Sequence, residues 1–331
     1  MKHFTSFLDL SVEEVQQLVA LASGIKRGNV SPKHIRGKNL AMMFFNPSLR
    51  TRLSFELAMT KFGGSAISFS ASGDAWALEF EDGAIMNGTT VEHVKDAAKV
   101  LSRYVDAIAI RSFGKLASLE QDLEEQVING FRHNATVPVV SMESACEHPA
   151  QCLADLLTIK ERSTKRGKFV LSWAPHIKAL PTAVPHSAML CGAHSGYDVV
   201  IAHPKGYELA DSYLNQAQAV CKELGSSFEV TDDQSALEGA DVVYAKNWAP
   251  PALYADPAAL ADSLAAHTNW LVTGDKTQNA HTLLHCLPVR RNLEVADSAL
   301  DASNSAIYPE AENRLWAQAA VLETLFSHTN R

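Results

Sequence analysis

The sequence predicts an α/β protein built from two doubly wound parallel sheets that are joined by helices. Short apolar runs alternate with amphipathic stretches, which is typical of parallel strands connected by helices. The alternation restarts in the second half of the chain, after a helical stretch over 147–163. The length of 331 residues, of which 47% are hydrophobic, is sufficient for two separate cores.

An amphipathic helix opens the first half of the chain. The stretch SVEEVQQLVALASGIKRG begins with Ser11, and Glu14 follows three residues later, which predicts a capping box. Buried strands are predicted at four short apolar runs, at 40–45, 66–70, 107–112 and 137–142. Helices are predicted between them, around 53–62, 90–104 and 119–133. We therefore expect a first domain over residues 1–147.

The second half repeats this pattern after the helical stretch EHPAQCLADLLTIKERS. Strands are predicted in the segments KFVLSWAP, YDVVIAHP, SFEVTDD, ADVVYAKNW and LLHCLP. The last segment, AENRLWAQAAVLETLFSH, has the apolar spacing of a long helix. We expect a second domain over 148–310, with a C-terminal helix at 311–331 that packs back on the first domain.

Composition and targeting signals restrict the functional class. The formal net charge of -8 argues against a nucleic-acid or anionic-membrane surface. The N-terminus lacks the pattern of a signal peptide, and no apolar run approaches the roughly 20 residues of a membrane helix, so a cytoplasmic location is expected. Five cysteines without a CxxC pair indicate neither a disulfide framework nor a structural metal site.

The stretch NPSLRTRLSFE places hydroxyls and guanidiniums at a predicted junction between a strand and a helix. Asn46 or Ser48 can cap this helix, and the proline between them suits a first turn. The N-terminus of a helix carries a partial positive charge, so Arg50 and Arg52 beside it predict an anion site that suits phosphate. The alternative is a solvated basic turn.

Three more polar stretches fall at predicted strand ends or helix starts. Arg111 ends the run AIAI, and the alternative for it is an ordinary surface charge. His148 and Gln151 share one face of a helix start, where they can contact an oxyanion and an NH2 group. In HCLPVRR, the proline after Leu287 leaves neighbouring backbone carbonyls free to accept hydrogen bonds. Cys286 is more simply a buried thiol than a nucleophile.

These four motifs, S-x-R-T-R, a single arginine after a strand, H-P-x-Q and H-C-L-P, resemble those of the transcarbamylases, the aspartate and ornithine carbamoyltransferases. They occur in the family's order between residues 48 and 288, and the general resemblance covers nearly the whole chain. It implies the transcarbamylase fold and transfer of a carbamoyl group from carbamoyl phosphate to an amine. It implies no metal or organic cofactor, because positioning and electrostatics can carry this reaction.

The resemblance also implies roles for individual residues. Arg50, Arg111 and His148 would be catalytic, neutralising the phosphate and supporting the oxyanion. Arg52 is left out because the second arginine of this loop often makes structural contacts in the family. The carbamoyl-phosphate site would comprise Ser48, Leu49, Arg50, Thr51, Trp76, Arg111, His148, Gln151, Cys286, Leu287 and Arg314.

Resemblance to particular subgroups of the family indicates which amine accepts the carbamoyl group. The D-x-x-x-S-M-G motif of ornithine enzymes is missing, and the strings GDAWALEFEDGAIMNG, SMES, VYAKNW, HCLPVRRN and EAENR resemble the N-acylornithine subgroup. That subgroup makes N-acylcitrulline and phosphate in arginine biosynthesis, as a homotrimer in which Trp76 would reach a neighbouring site. Taken alone, Trp76 could instead anchor a buried loop, Glu143 could cap a helix and Lys246 could simply end a strand. The implied acylornithine contacts are Trp76, Val91, Glu143, Pro181, Lys246, Cys286 and Arg290.

Two positions bear on the acyl group. Acetyl-specific members carry Glu at the place of Val91 and Asn at the place of Pro181, whereas succinyl-specific members carry Pro at both. An apolar Val91 does not repel a second carboxylate, so N-succinylornithine is predicted over N-acetylornithine. The alternatives are an ornithine carbamoyltransferase, an inactive binding protein that keeps the fold, and a nucleotide-dependent oxidoreductase. The absence of a GxGxxG fingerprint speaks against the oxidoreductase.

Overall fold

Two parallel sheets, one in each half of the chain, form the framework of this computed structural model. The structure describes residues 1–71, 73–163 and 166–328. The predicted two-sheet α/β architecture is confirmed. None of the described helices has both the length and the apolar character that a membrane crossing requires.

The first sheet has four parallel strands in the order β2-β1-β5-β6. Its half of the chain contains, in order, α1 (Val12–Lys26), β1 (Asn39–Phe44), α2 (Leu49–Thr60), β2 (Ser65–Ser70), β3 (Leu78–Glu79), β4 (Glu92–His93), α3 (Val94–Tyr104), β5 (Ala107–Arg111), α4 (Leu119–Leu123), α5 (Gln126–Asn134) and β6 (Val139–Glu143). The strands β3 and β4 pair separately as a small parallel ribbon. A short 3₁₀ helix, Phe7–Asp9, precedes α1.

Both faces of the first sheet are buried, which is why its strands read as continuous apolar runs. Leu40 and Met42 belong to a core cluster that continues into the second half of the chain. Ala41 and Met43, which point to the opposite face, belong to a smaller cluster with α3 and α5. The sheet is therefore covered by helices on both sides.

Local signals account for several helix boundaries. The predicted capping box is present, because the Ser11 hydroxyl accepts a hydrogen bond from the Glu14 N–H and the Glu14 carboxylate accepts one from the Ser11 N–H. The helix predicted around 90–104 begins only at Val94, since the residues before it form β4. The stretch at 119–133 is split into α4 and α5 at Glu125, whose φ of 48° breaks the helix. The Glu125 carboxylate instead accepts the Cys146 N–H at 2.9 Å.

The second sheet has five parallel strands in the order β11-β10-β7-β8-β9. Its half contains α6 (Pro149–Arg162), β7 (Lys168–Trp173), α7 (Ala183–His194), β8 (Asp198–Ala202), α8 (Asp211–Leu224), β9 (Phe228–Thr231), β10 (Val242–Lys246), α9 (Pro257–Ala266), α10 (Gly274–Thr277), β11 (Thr282–Leu284), α11 (Asp297–Leu300) and α12 (Ile307–Ser327). Three short 3₁₀ helices, Gln234–Leu237, Pro251–Leu253 and Thr268–Trp270, lie in its connections.

The helices α6 and α12 hold the two halves together. The C-terminal helix α12 packs against α6 and also against α1 and α2 of the first half. It begins four residues before the predicted helix at 311–331, of which residues 329–331 lie outside the described part of the chain. The domain boundary at 147/148 stays a prediction.

Each sheet has a point at which the direction of its connections reverses. In the first sheet this point lies between β1 and β5, and in the second it lies between β7 and β10. Open α/β sheets bind ligands outside the carboxyl ends of the strands at such points. A ligand site is therefore expected where these strands end.

Candidate active site

A cavity of about 300 Å³ lies where the reversal points of the two sheets meet. Residues that follow β1, β5, β6, β7, β10 and β11 all contribute to its wall. Three arginines and one lysine face a single carboxylate, so the cavity is suited to an anion. It is lined by Pro47, Ser48, Arg50, Thr51, Arg111, Phe113, Glu143, His148, His176, Leu180, Pro181, Val184, Lys246, Cys286, Leu287, Pro288 and Arg314.

The start of α2 forms one wall of this cavity. Ser48 is the N-cap, and its hydroxyl accepts a hydrogen bond from the Thr51 N–H at 3.2 Å. Asn46 does not cap the helix; its side-chain oxygen accepts the Phe113 N–H at 2.7 Å and so ties the end of β1 to the end of β5. The Leu49 side chain is 79% exposed and points away from the cavity, so this residue can contribute only its backbone.

The Thr51 hydroxyl is the centre of a cationic cluster. Arg111 Nη1 lies 3.2 Å and Arg314 Nη2 lies 2.5 Å from Thr51 Oγ1. The Arg111 guanidinium also stacks over Phe113 at 4.6 Å. The pairing of β5 with β6 changes register between Ile110 and Arg111, an irregularity that is common beside active sites because it re-aims a side chain.

The cluster retains unused donors. Within the described residues, the buried Nε atoms of Arg50, Arg111 and Arg314 have no hydrogen-bond partner. Burial, together with the neighbouring Arg111 and Arg50 charges, lowers the pKa of Arg314 to about 10, although Glu143 opposes this shift. The Arg314 guanidinium remains charged at neutral pH, and buried unpaired donors are costly. The arrangement therefore favours an anionic ligand with several oxygens.

The carboxylate of Glu143 lies between Arg111 and His148. Glu143 Oε2 is 2.6 Å from Arg111 Nη1 and 3.5 Å from His148 Nε2. Burial and then the charges of the three arginines lower the pKa of His148 well below its ordinary value. The imidazole is therefore neutral and can donate one N–H to a developing oxyanion without carrying a charge.

Gln151 lies just behind the cavity and is not among the residues that line it. Its side-chain nitrogen donates to Asp155 Oδ1 at 2.7 Å and to Glu310 Oε1 at 3.0 Å. Its side-chain oxygen is buried and has no partner among the described residues. The amide is therefore held with its nitrogen turned towards two carboxyls.

The turn after β11 lines the cavity with Cys286, Leu287 and Pro288. The strand ends at Leu284, the Leu287–Pro288 peptide bond is cis, and Leu287 has a φ of 55°. Within the described residues, the carbonyls of Cys286 and Leu287 accept no backbone hydrogen bond. Burial raises the pKa of Cys286 to about 12, so its thiol is protonated and does not suit a nucleophile.

The opposite wall holds polar groups for a second ligand. Lys246 ends β10 and lines the cavity beside Pro181. Arg290 is exposed, and its Nε atom donates to His176 Nε2 at 3.1 Å. The sequence reasoning missed His176, although its place after β7 at the reversal point of the second sheet is a usable signal. It also missed Phe113 and Glu310.

Five predicted residues are not among those that line this chain's own cavity, namely Leu49, Gln151, Arg290, Trp76 and Val91. Trp76 and Val91 lie on the segment around β3 and β4 and are 57% and 64% exposed. The Trp76 indole N–H donates to the Glu92 carboxylate at 2.7 Å. Trp76 is thus not a buried anchor within a single chain. Apolar side chains of α2 and β2 are also exposed, namely Leu49, Leu53, Leu57 and Ile67.

Comparison with known proteins agrees with this geometry. Residues 2–161 match the carbamoyl-phosphate-binding domain of the aspartate/ornithine carbamoyltransferases, and residues 181–325 match the aspartate/ornithine-binding domain. The chain is 38% identical over 333 residues to the N-acetylornithine carbamoyltransferase of Xanthomonas campestris, covering 98% of each chain. It is 39% identical over 334 residues to the N-succinylornithine carbamoyltransferase of Bacteroides fragilis, covering 99% of each.

One solved structure is also similar to this chain over nearly its whole length. It is an N-acetyl-L-ornithine transcarbamylase variant in which a glutamate is replaced by valine, in complex with carbamyl phosphate and N-succinyl-L-norvaline. Its TM-score is 0.94 at 38% identity, and the match covers 98% of this chain and 100% of that chain.

Proposed function

This chain belongs to the aspartate/ornithine carbamoyltransferase family and is a carbamoyltransferase, and we propose that its acceptor is an N-acylornithine, with N-succinyl-L-ornithine preferred to N-acetyl-L-ornithine. The products are N-acylcitrulline and phosphate. The observation that carries the proposal is the convergence of three guanidiniums and the start of α2 on one cavity. The relatives named N-acetylornithine and N-succinylornithine carbamoyltransferase support the acceptor class.

The phosphate of carbamoyl phosphate binds at the start of α2. Ser48, Thr51 and the backbone of the first turn supply hydroxyl and N–H donors, while Arg50 and Arg314 supply charge. Arg111 contacts both the phosphate and the carbonyl oxygen. These contacts use the donors that are otherwise unpaired, so binding removes the cost of burying them.

A second set of groups contacts the carbamoyl part of the substrate and activates its carbon. Neutral His148 donates to the carbonyl oxygen as negative charge develops there, and Arg111 stabilises the same oxygen. The substrate's NH2 group donates to the Gln151 oxygen and to the carbonyls of Cys286 and Leu287. The attacking amine must be neutral, and the departing phosphate accepts its proton.

The acylornithine occupies the wall formed by the second half of the chain. Arg290, which is hydrogen-bonded to the lining residue His176, pairs with its α-carboxylate. Lys246 and, from the first half of the chain, Glu143 contact the rest of its polar groups. Phosphate binding competes with Glu143 for Arg111, so the Glu143 carboxylate becomes available to the amine when carbamoyl phosphate is present. Pro181 lines the cavity and narrows its acyl end.

Two observations support the succinyl preference. Val91 carries no charge, so it does not repel the second carboxylate of a succinyl group. A related enzyme in which glutamate is replaced by valine binds N-succinyl-L-norvaline. We attribute the preference for the succinyl substrate to Val91 and Pro181. Acetyl-specific members have other residues at these two positions.

The decisive experiment compares kcat/KM for ornithine, N-acetylornithine and N-succinylornithine, with N-acylcitrulline or citrulline measured directly. We expect the succinyl substrate to be fastest and ornithine slowest. Val91→Glu should move the ratio towards acetylornithine, whereas Val100→Glu, which alters another exposed valine on α3, should not. Equal ratios in the two variants would show that Val91 does not meet the acyl tail.

We further propose that the functional unit is a homotrimer in which Trp76 enters the cavity of a neighbouring subunit. The exposed apolar residues of α2 and β2 lie on the same half of the chain as Trp76 and fit an interface better than a solvated face. Trp76→Ala and Arg50→Ala subunits should each be inactive alone. Mixing them should restore activity only if one site draws residues from two subunits; no recovery after co-refolding would contradict a shared site.

A further inference from the structure

A buried carboxyl cluster lies behind the carbamoyl end of the cavity. Glu310, in the first turn of α12, accepts hydrogen bonds from the Gln151 side chain at 3.0 Å, from the His285 N–H at 2.8 Å and from the Tyr244 hydroxyl at 3.4 Å. Asp155 accepts a second hydrogen bond from the same Gln151 nitrogen at 2.7 Å. None of these five residues is more than 1% exposed.

The cluster joins the elements that carry the carbamoyl-binding groups. Gln151 lies one turn after His148 on α6, and His285 immediately precedes the turn that lines the cavity. Arg314 lies four residues after Glu310 and therefore on the same face of α12. Glu310 thus connects α6, the turn after β11 and α12 at one point.

Two negative charges are unfavourable in this setting. Both carboxyls are shielded from water and share one donor nitrogen, so they are close enough for their charges to repel strongly. Burial raises the pKa of both Asp155 and Glu310, and the neighbouring Asp155 adds to the rise at Glu310. The Arg314 charge opposes the rise in the pKa of Asp155. A single charge on the pair is the stable state.

The hydrogen bonds indicate which carboxyl matters more for holding the amide. Glu310 faces three donors and uses both oxygens as acceptors. Asp155 accepts the Gln151 nitrogen with Oδ1, and its Oδ2 has no hydrogen-bond partner among the described residues. Replacing one carboxyl oxygen by an NH2 group therefore disturbs more hydrogen bonds at Glu310 than at Asp155.

We propose that Asp155 and Glu310 are positioning residues that share one proton and hold the Gln151 amide so that only its oxygen is left for the substrate. The oxygen is the useful end, because the NH2 group of carbamoyl phosphate has hydrogens to donate and requires acceptors. A reversed amide would place an oxygen against two carboxyls and a nitrogen against the substrate's NH2. This inference rests on the role proposed above for Gln151.

The test compares Glu310→Gln with Asp155→Asn. In Glu310→Gln, an NH2 group replaces one acceptor oxygen and meets a donor, so kcat/KM for carbamoyl phosphate should fall about 10- to 100-fold. Asp155→Asn keeps an acceptor for Gln151 and can place its NH2 group at the oxygen that has no hydrogen-bond partner among the described residues. The fall in kcat/KM for carbamoyl phosphate in Asp155→Asn should be at least about fivefold smaller than the fall in Glu310→Gln.

Two controls separate positioning from general damage. Competitive inhibition by inorganic phosphate should be the same in Glu310→Gln and in the unmodified protein, because the phosphate contacts lie on α2, Arg111 and Arg314. Glu323→Gln changes another carboxylate of α12, which accepts the Lys33 and His34 N–H groups far from the cavity, and should leave kcat/KM unaltered. Loss of phosphate inhibition in Glu310→Gln would identify a structural role and overturn the proposal.

Further results would also overturn it. One is an unchanged kcat/KM in Glu310→Gln. Another is an equal loss of kcat/KM in Asp155→Asn, which would mean that Glu310 has no larger part than Asp155 in holding the amide. Hydrogen exchange of the His285 backbone amide tests the cluster without measuring activity, and so does not depend on the proposed function. This amide should lose its protection in Glu310→Gln and keep it in Asp155→Asn. If the unmodified protein failed to carbamoylate any N-acylornithine while this exchange pattern held, the proposed acceptor would be wrong and the cluster would stand.

Discussion

Replacing Arg111 with methionine tests the central ion pair of the site. Its guanidinium lies 2.6 Å from the Glu143 carboxylate, and the two side chains are only 10% and 9% exposed. Removing the cation takes away the direct ion-pair partner of a buried carboxylate and leaves the neutral His148 at 3.5 Å. Breaking a buried pair by deleting one partner costs about 3–5 kcal/mol in the free energy of unfolding.

The same change affects catalysis through a different interaction. Arg111 is proposed to hold both the phosphate and the carbonyl oxygen of carbamoyl phosphate, and loss of one such donor lowers kcat by about 10²- to 10³-fold. The double variant Arg111→Met with Glu143→Gln removes both charges. It should recover most of the lost stability, because the Glu143 carboxylate is no longer buried without Arg111, but it should not recover activity.

Urea unfolding and N-acylcitrulline formation measure the two effects separately. The matched control is Arg52→Met, which breaks an exposed pair with Glu56 at 3.3 Å one helical turn away. Exposed pairs of this kind contribute about 0.3–0.5 kcal/mol, so the control should be nearly as stable as the unmodified protein. If Arg111→Met costs no more stability than Arg52→Met, or if the double variant is no more stable than Arg111→Met, the reasoning about a buried, strongly coupled pair is refuted.

Other predictions concern the phosphate contact, the thiol in the cavity wall and a buried acid at the junction of the two halves. Arg50→Ala should abolish measurable turnover while Arg52→Ala retains it, and near-normal kinetics in Arg50→Ala would contradict the assignment of the phosphate loop. Cys286→Ser should keep kcat within about tenfold, because the protonated thiol takes no chemical part; a complete loss would assign it a direct role. Burial raises the pKa of Glu147 from its ordinary 4.5 to about 7, so the folded state binds a proton that the unfolded chain releases. Its stabilising contribution is complete below pH 4.5 and is lost as the pH rises towards 7, by up to roughly 3 kcal/mol. Urea unfolding at several pH values should show this decline, Glu147→Gln should flatten it, and an equal slope in the two proteins would exclude Glu147 as its source.

The grouping of Ser48, Arg50, Arg111 and His148 around one cavity was largely predictable because these residues sit on local signals. Each falls where a short apolar run ends or a helix begins, and in a parallel sheet the carboxyl ends of the strands meet at one edge. The cap at Ser48 and the position of Arg111 after β5 need only a few neighbouring residues to be recognised. Their convergence on Thr51 then follows from the sheet order.

The sequence by itself therefore determined the α/β class, the two sheets and the loops that carry the charged motifs, since apolar periodicity and helix capping depend on near neighbours. Only the tertiary structure decided which distant groups share a hydrogen bond. Arg314 reaches the Thr51 hydroxyl across 263 residues of chain, and Glu310 meets Gln151 across 159. Such contacts depend on how α12 docks between the two halves and on which side chains that docking shields from water. The hydrogen-bond partners and the protonation of the buried groups consequently depend on packing, which near-neighbour patterns do not encode.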